Sequence, residues 1–189
     1  MLSRSAVYLV SGRPAQPGAP AAQRLAAIEA RLKAEGAERL TRDEALALLY
    51  AQARRHPLDP RPRAFAGQLL LEMERPQDAA RLLEAALRRN PDDATAALDL
   101  ARASAQMNGV THQGTQALFA RAAMLDPQNP VPWIYRGLAA QAENRPQDAA
   151  QAWLGVLERV SEEDPRRQMA QQMLRQAQGG PQPEAKQPS

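Results

Sequence analysis

The sequence predicts an all-α fold of stacked helical hairpins, and three observations carry that expectation. Apolar residues make up 44% of the chain but aromatic residues only 4%. The apolar content is therefore mostly Ala and Leu, strong helix formers, and the residues that favour strands are scarce. The hexapeptide Arg-Pro-Gln-Asp-Ala-Ala occurs at 75–80 and again at 145–150, 70 residues apart. Prolines placed to end helices stand at Pro57, Pro91 and Pro127, in steps of 34 and 36 residues. A period near 34 is that of the tetratricopeptide repeat, a helix–turn–helix unit with small, large and proline positions.

The elements follow in chain order. Residues 1–20 read as a linker ending in the Pro/Gly/Ala-rich stretch SGRPAQPGAP, which has too little apolar surface to order itself. The repeat domain spans 21–177. Leu25, Ile28 and Leu32 form the first helical stripe, and Thr41-Arg-Asp-Glu44 is a capping box that opens the next helix. Ala45, Leu49 and Pro57 fit second-helix positions of this weaker first unit. In the repeat beginning at Pro60, Gly67 and Leu70 are the small and large residues of the first helix; Ala79, Leu83 and Ala86 follow on the second. The repeat beginning at Ala94 carries Ala97, Leu100, Ala101 and Ser104, then Phe119 and Ala122, with a two-residue insertion near Asn108–Gln113. The repeat beginning at Pro130 carries Trp133, Gly137, Ala149, Trp153 and Val156. A last helix from about Pro165, with Met169, Met173 and Leu174 on one face, is expected to cover the open end of the array. Residues 178–189 (QGGPQPEAKQPS) read as a polar, proline-rich tail.

Small residues at Gly67, Ala79, Ala86, Gly137 and Ala149 allow close helix approach, with larger residues opposite filling the space. Prolines at helix starts (Pro60, Pro76, Pro130, Pro146, Pro165) lack a donor that would go unpaired there in any case. The pairs Arg54-Arg55 and Arg88-Arg89 fall at helix C-termini, where cations complement the helix dipole.

Chemistry is harder to find. A net charge of +3, with no basic stripe interleaved with aromatics, argues against nucleic acid as a partner. The absence of cysteine excludes disulfides, thiol nucleophiles, thiolate-bound zinc and covalent haem attachment. His56 and His112 have no second ligand at metal spacing. No Gly-rich phosphate loop and no nucleophile elbow occur. Asp92-Asp93 and Glu162-Glu163 precede predicted helices, and capping explains them better than acid–base work. Trp133 and Trp153 occupy large-residue positions and are expected in the core, as are Met107, Met124, Met169 and Met173 in core or cap. No apolar run approaches the roughly 20 residues of a membrane span, so the chain as given reads as soluble, or as the soluble part of a longer anchored protein. The expectation is a non-catalytic binding module without cofactor, metal or small-molecule substrate.

The inner face of such an array is lined by the first helix of each pair. Helical phase places Arg61, Ala64, Gln68 and Leu71 there in one repeat, Leu98, Arg102 and Ala105 in the next, and Ile134, Leu138 and Gln141 in the third. The intra-repeat core pattern does not require these residues. Leu71, Leu98, Ile134 and Leu138 would form an apolar row for an amphipathic helix, with Arg61 and Arg102 meeting carboxylates at its edges.

The segments Ala120-Arg-Ala-Ala-Met-Leu-Asp-Pro-Gln-Asn-Pro130, Gly137-Leu-Ala-Ala140, Asn144-Arg-Pro-Gln-Asp-Ala-Ala150 and Trp153-Leu-Gly-Val-Leu157 resemble the C-terminal periplasmic domain of the CcmI/CycH family of cytochrome c biogenesis proteins. Tyr8-Leu-Val-Ser-Gly-Arg-Pro-Ala-Gln-Pro17 is similar to that family's juxtamembrane stretch. The resemblance implies a periplasmic module that belongs to an inner-membrane-anchored protein. It implies capture of the C-terminal helical segment of apocytochrome c and its presentation to the haem lyase complex. The family's membrane helices do not occur in this sequence. The alternative is a general tetratricopeptide scaffold or co-chaperone in another envelope assembly.

Overall fold

The computed structural model describes residues 21–179; the linker expected over 1–20 and all but the first two residues of the tail expected over 178–189 lie outside that range. The described residues form α-helices joined by short turns, with one short 3₁₀ turn at Ala37–Arg39 and no strand. The helices are α1 (Ala21–Glu35), α2 (Arg42–Arg55), α3 (Arg61–Glu72), α4 (Pro76–Leu87), α5 (Ala94–Asn108), α6 (Gln113–Leu125), α7 (Val131–Ala142), α8 (Pro146–Leu157) and α9 (Pro165–Ala177). They pair in sequence as α1/α2, α3/α4, α5/α6 and α7/α8, and α9 packs on α8. This is a tetratricopeptide-type array of helical hairpins, and no helix in it is long and apolar enough to cross a membrane.

The duplicated hexapeptide has a local explanation. α3 and α7 both end with a residue in the left-handed region, Glu74 at φ 57° and Asn144 at φ 55°. The next amides, Arg75 and Arg145, donate back to Leu70 and Ala140 at 2.9 and 2.8 Å, closing Schellman turns. Each arginine then serves as N-cap of the following helix, with Pro at N1. Each also pairs with the Asp two residues beyond that proline, Asp78 or Asp148. The first Ala of each hexapeptide, Ala79 or Ala149, is fully buried. Turn, cap and close-packing residue are thus encoded in six positions.

Small residues face large ones within the hairpins. A Cβ on Gly67 would sit 2.6 Å from Leu83, and one on Gly137 2.7 Å from Trp153. One on Gly155 would collide with the Trp133 ring. Trp153 is fully buried, as expected, and its indole N–H lacks an acceptor, so shape holds the ring. Trp133 is only half-buried, and its ring carries the Arg159 guanidinium 4.3 Å from its centroid.

Neighbouring repeats are fastened by arginines at the ends of second helices. Arg89 donates to the Pro57 carbonyl at 2.7 Å, Arg121 to that of Pro91 at 2.8 Å, and Arg159 to that of Pro127 at 2.7 Å. Arg89 therefore bonds a carbonyl of the previous repeat as well as one of its own helix, Ala85. The predicted capping box at Thr41 and Glu44 is present in full.

Two sequence expectations are corrected. Met107 and Met124 are 36% and 74% exposed rather than core, because each lies on the outward side of its helix. Ala45 and Leu49 are half-buried, while Leu46, Leu48, Ala51 and Ala53 supply the interior of α2. The light α1, with Ile28 as its one buried residue, covers less of α2 than a full repeat would. The two-residue insertion appears as the turn between α5 and α6, where Gly109 has φ 85° and His112 caps α6. Beneath it, the hydroxyls of Ser104 and Thr115 bond at 2.7 Å, both buried.

The interior is divided. One cluster runs from Leu46 on α2 to Ala122 on α6, and a second runs from Ala140 on α7 to Ala170 on α9. The break falls at the α6–α7 seam.

Candidate functional site

The residues expected to line the inner face belong to α3, α5 and α7, and α3 and α5 touch each other directly. Their chemistry differs from the expectation. Leu71 and Leu98 pack against the first core cluster and Ile134 against the second, so all three contribute to the interior and are half-buried. The intra-repeat pattern does not require them, yet they pack against the core clusters. Packing against a core cluster is a tertiary property that the phase of a single helix does not reveal. Leu138, at 39% exposure, is the one large apolar residue of the row that stands open. Ala64 and Ala105 are half-buried, and Gln68 is exposed. Gln141 is occupied at the C-terminal end, where its amide reaches the Met173 sulfur of α9 at 3.6 Å.

Neither edge arginine is free. Arg61 is forked onto Asp59, with Nε–Oδ1 at 3.0 Å and Nη2–Oδ2 at 2.8 Å. Hydrogen bonds from the Arg61 side chain and backbone hold the Asp59 carboxyl down at about 2. Arg102 lies 3.4 Å from Asp99, a long contact. Asp99 itself is 5% exposed. Burial pushes its carboxyl above the ordinary range; Arg102 opposes the shift, and Asp93 and Glu72 add to it. No motif pointed to Asp99, since an acidic residue at that helical position ordinarily faces solvent.

A second feature lies on the other side of α7. The helices α6 and α7 leave a cleft of about 490 Å³, closed at one end by the start of α8. Phe119 and Tyr135 stack there with centroids 4.1 Å apart and planes at 17°. Trp133, Arg136 and Ala140 line the α7 wall, Gln116 and Ala120 the α6 wall, and Arg145 and Asp148 the α8 end. Arg145 is neutralised by Glu143 and Asp148, and Gln116 bonds Glu143 at 3.2 Å across the mouth. On α7 the cleft residues Pro132, Tyr135 and Arg136 point roughly opposite to Ile134, Leu138 and Gln141. The available signal was that three of the chain's seven aromatic residues fall at 119–135. Among the described residues no group of acidic, histidine or cysteine side chains is arranged to hold a metal ion.

Comparison with known proteins agrees with the architecture. Residues 70–109 match the family described as tetratricopeptide repeat. No curated protein sequence matches the chain. Among solved structures, MamA from Desulfovibrio magneticus RS-1 superposes with a TM-score of 0.63 at 17% identity, covering 84% of each chain. PilF of Pseudomonas aeruginosa gives 0.57 at 16% identity, covering 93% of this chain and 81% of its own. YrrB, described as a tetratricopeptide protein with an unusual peptide-binding site, gives 0.52 at 11% identity, with 84% of each chain covered. These likenesses establish the fold, an array of tetratricopeptide-type helical hairpins.

Proposed function

We propose that this chain is a periplasmic holding module for apocytochrome c. In this reading its inner face grips the C-terminal helical segment of the apocytochrome and presents it for haem ligation. The haem lyase complex is the second partner, and the chain is the soluble domain of an inner-membrane-anchored protein. The observation that supports the reading is that Gln68, Arg102 and Leu138 are exposed on three successive first helices, each of which also carries a half-buried apolar residue, Leu71, Leu98 or Ile134. Such a surface suits the apolar side of an amphipathic helix. The resemblance of residues 120–157 to the cytochrome c biogenesis family supplies the identity of the ligand. YrrB's described peptide-binding site is in keeping with peptide capture by this kind of array.

The test is titration of a synthetic peptide, the C-terminal helix of an apocytochrome c, against wild type and three variants. Leu138→Asp should weaken binding about tenfold or more, because it sets an unpaired carboxylate against the ligand's apolar side. Arg102→Gln should weaken it less, by an amount that shrinks as salt is raised. Arg81→Glu, on an exposed second-helix position, should bind as wild type does. Equal binding by Leu138→Asp and wild type would remove the inner face from consideration. No binding by wild type would leave a scaffold serving another assembly.

A further inference from the structure

The cleft between α6 and α7 plays no part in the inner-face reading and faces the other way. Its walls are the stacked rings of Phe119 and Tyr135 and the exposed part of Trp133. Its volume of about 490 Å³ is in the range of sites that hold a compact ligand group. Its charge is unbalanced. Arg145 is paired twice, but Arg136 has no carboxylate partner among the described residues; it lies 5.6 Å from the Trp133 ring centroid instead. An apolar, ring-lined cleft with one uncompensated guanidinium favours a ring for the walls and an anion for the cation.

We propose that this cleft binds an extended segment of a partner protein in which an aromatic side chain stands next to a carboxylate. The ring would pack beside the Phe119–Tyr135 stack against the exposed part of Trp133, and the carboxylate would pair with Arg136. The chain's own outlying segments do not fit. Residues 180–189 contain Glu184 but no aromatic residue, and residues 1–20 contain Tyr8 but no acidic residue. The occupant proposed is a segment of another protein, chosen for the complementarity of a carboxylate to Arg136, and the cleft's orientation leaves the inner face free to hold its own ligand at the same time.

The two tryptophans make the test direct. Trp133 lines the cleft, whereas Trp153 is sealed inside the α7/α8 hairpin. The full chain is titrated with acetyl-Gly-Phe-Glu-Gly-amide while both indole N–H resonances are followed. The Trp133 signal should move and that of Trp153 should stay. The same peptide with Lys in place of Glu should bind about tenfold more weakly or worse. In Arg136→Glu the order of the two peptides should invert, with an unchanged Trp153 signal showing that the fold is intact. Leu138→Asp should leave all of this unaltered, which separates the cleft from the inner face. The proposal is overturned if neither peptide moves Trp133 or if Arg136→Glu fails to invert the preference. It is also overturned if deletion of 180–189 shifts the Trp133 signal, since the chain's own tail would then fill the cleft.

Discussion

Asp99 shows how one residue couples stability to pH. Burial holds its carboxyl above the ordinary range, with Arg102 too distant to offset the loss of water. The folded chain therefore keeps this proton to higher pH than the unfolded chain does. Its contribution to stability declines as pH rises from the unfolded value, about 3.9, through the raised folded value. Asp99→Asn should be more stable than wild type at neutral pH and should lack that decline, as read by urea denaturation at a series of pH values. Asp59 and Asp164 work in the opposite sense. Both are held at about 2, chiefly by hydrogen bonds from Arg61 and Arg166. What they contribute is lost as pH falls from about 4 toward 2. Gly137 is a second site where one atom decides the outcome. A methyl there would lie 2.7 Å from the Trp153 ring, which is fully buried and has nowhere to go. Gly137→Ala gains helix propensity of about 1 kcal/mol, yet should still lower stability by about 1–3 kcal/mol net through overpacking. A lower urea midpoint with an unchanged slope is the expected result.

At the scale of elements, the turns that join α3 to α4 and α7 to α8 are the same device with different residues. Each needs a left-handed residue after the first helix, and the chain places Glu74 in one and Asn144 in the other. Asn tolerates that conformation through local hydrogen bonding, whereas Glu incurs most of the steric cost of about 1–2 kcal/mol. Glu74→Gly should therefore raise stability by about 0.5–1 kcal/mol, after allowing for glycine's greater entropy in the unfolded chain. Asn144→Gly should raise it by less, and thermal melts of the two variants side by side would check the order. The α5–α6 turn escapes the question, because its inserted residues include Gly109 at the positive φ.

The whole molecule behaves as stacked units rather than one globule. Each hairpin contacts its neighbours, and an arginine bonded to a proline carbonyl marks each of three seams. Stability in such an array is nearly a sum over units and seams. The weakest unit is α1, which has a single buried residue and packs far less extensively on α2 than α9 does on α8. Native-state hydrogen exchange should find α1 amides opening first and the interior of α3 to α5 last. Slow exchange throughout α1 would show that this helix is held by more than Ile28 and its ion pairs to α2. The divided core also bears on binding, because the cleft opens where the two clusters part, so a ligand there would join the two halves.

The fold was readable because its determinants are local. A 34-residue period, a hexapeptide holding turn, cap and close-packing residue, and the Thr41–Glu44 box each act over one hairpin or less. Gly67 opposite Leu83 and Gly137 opposite Trp153 likewise lie within single repeats. The candidate inner face was legible only as an angle about each helix axis. Periodicity placed Leu71, Leu98 and Ile134 on that side, but their partial burial depends on how closely the next hairpin approaches. The same limit hid Asp99, which is buried by the packing of neighbouring elements, and Met124, which no neighbour covers. It also hid the cleft, where Phe119 on one repeat stacks on Tyr135 of the next. A chain's own pattern determines which way each side chain points; the distance between repeats, a tertiary quantity, decides what it meets there.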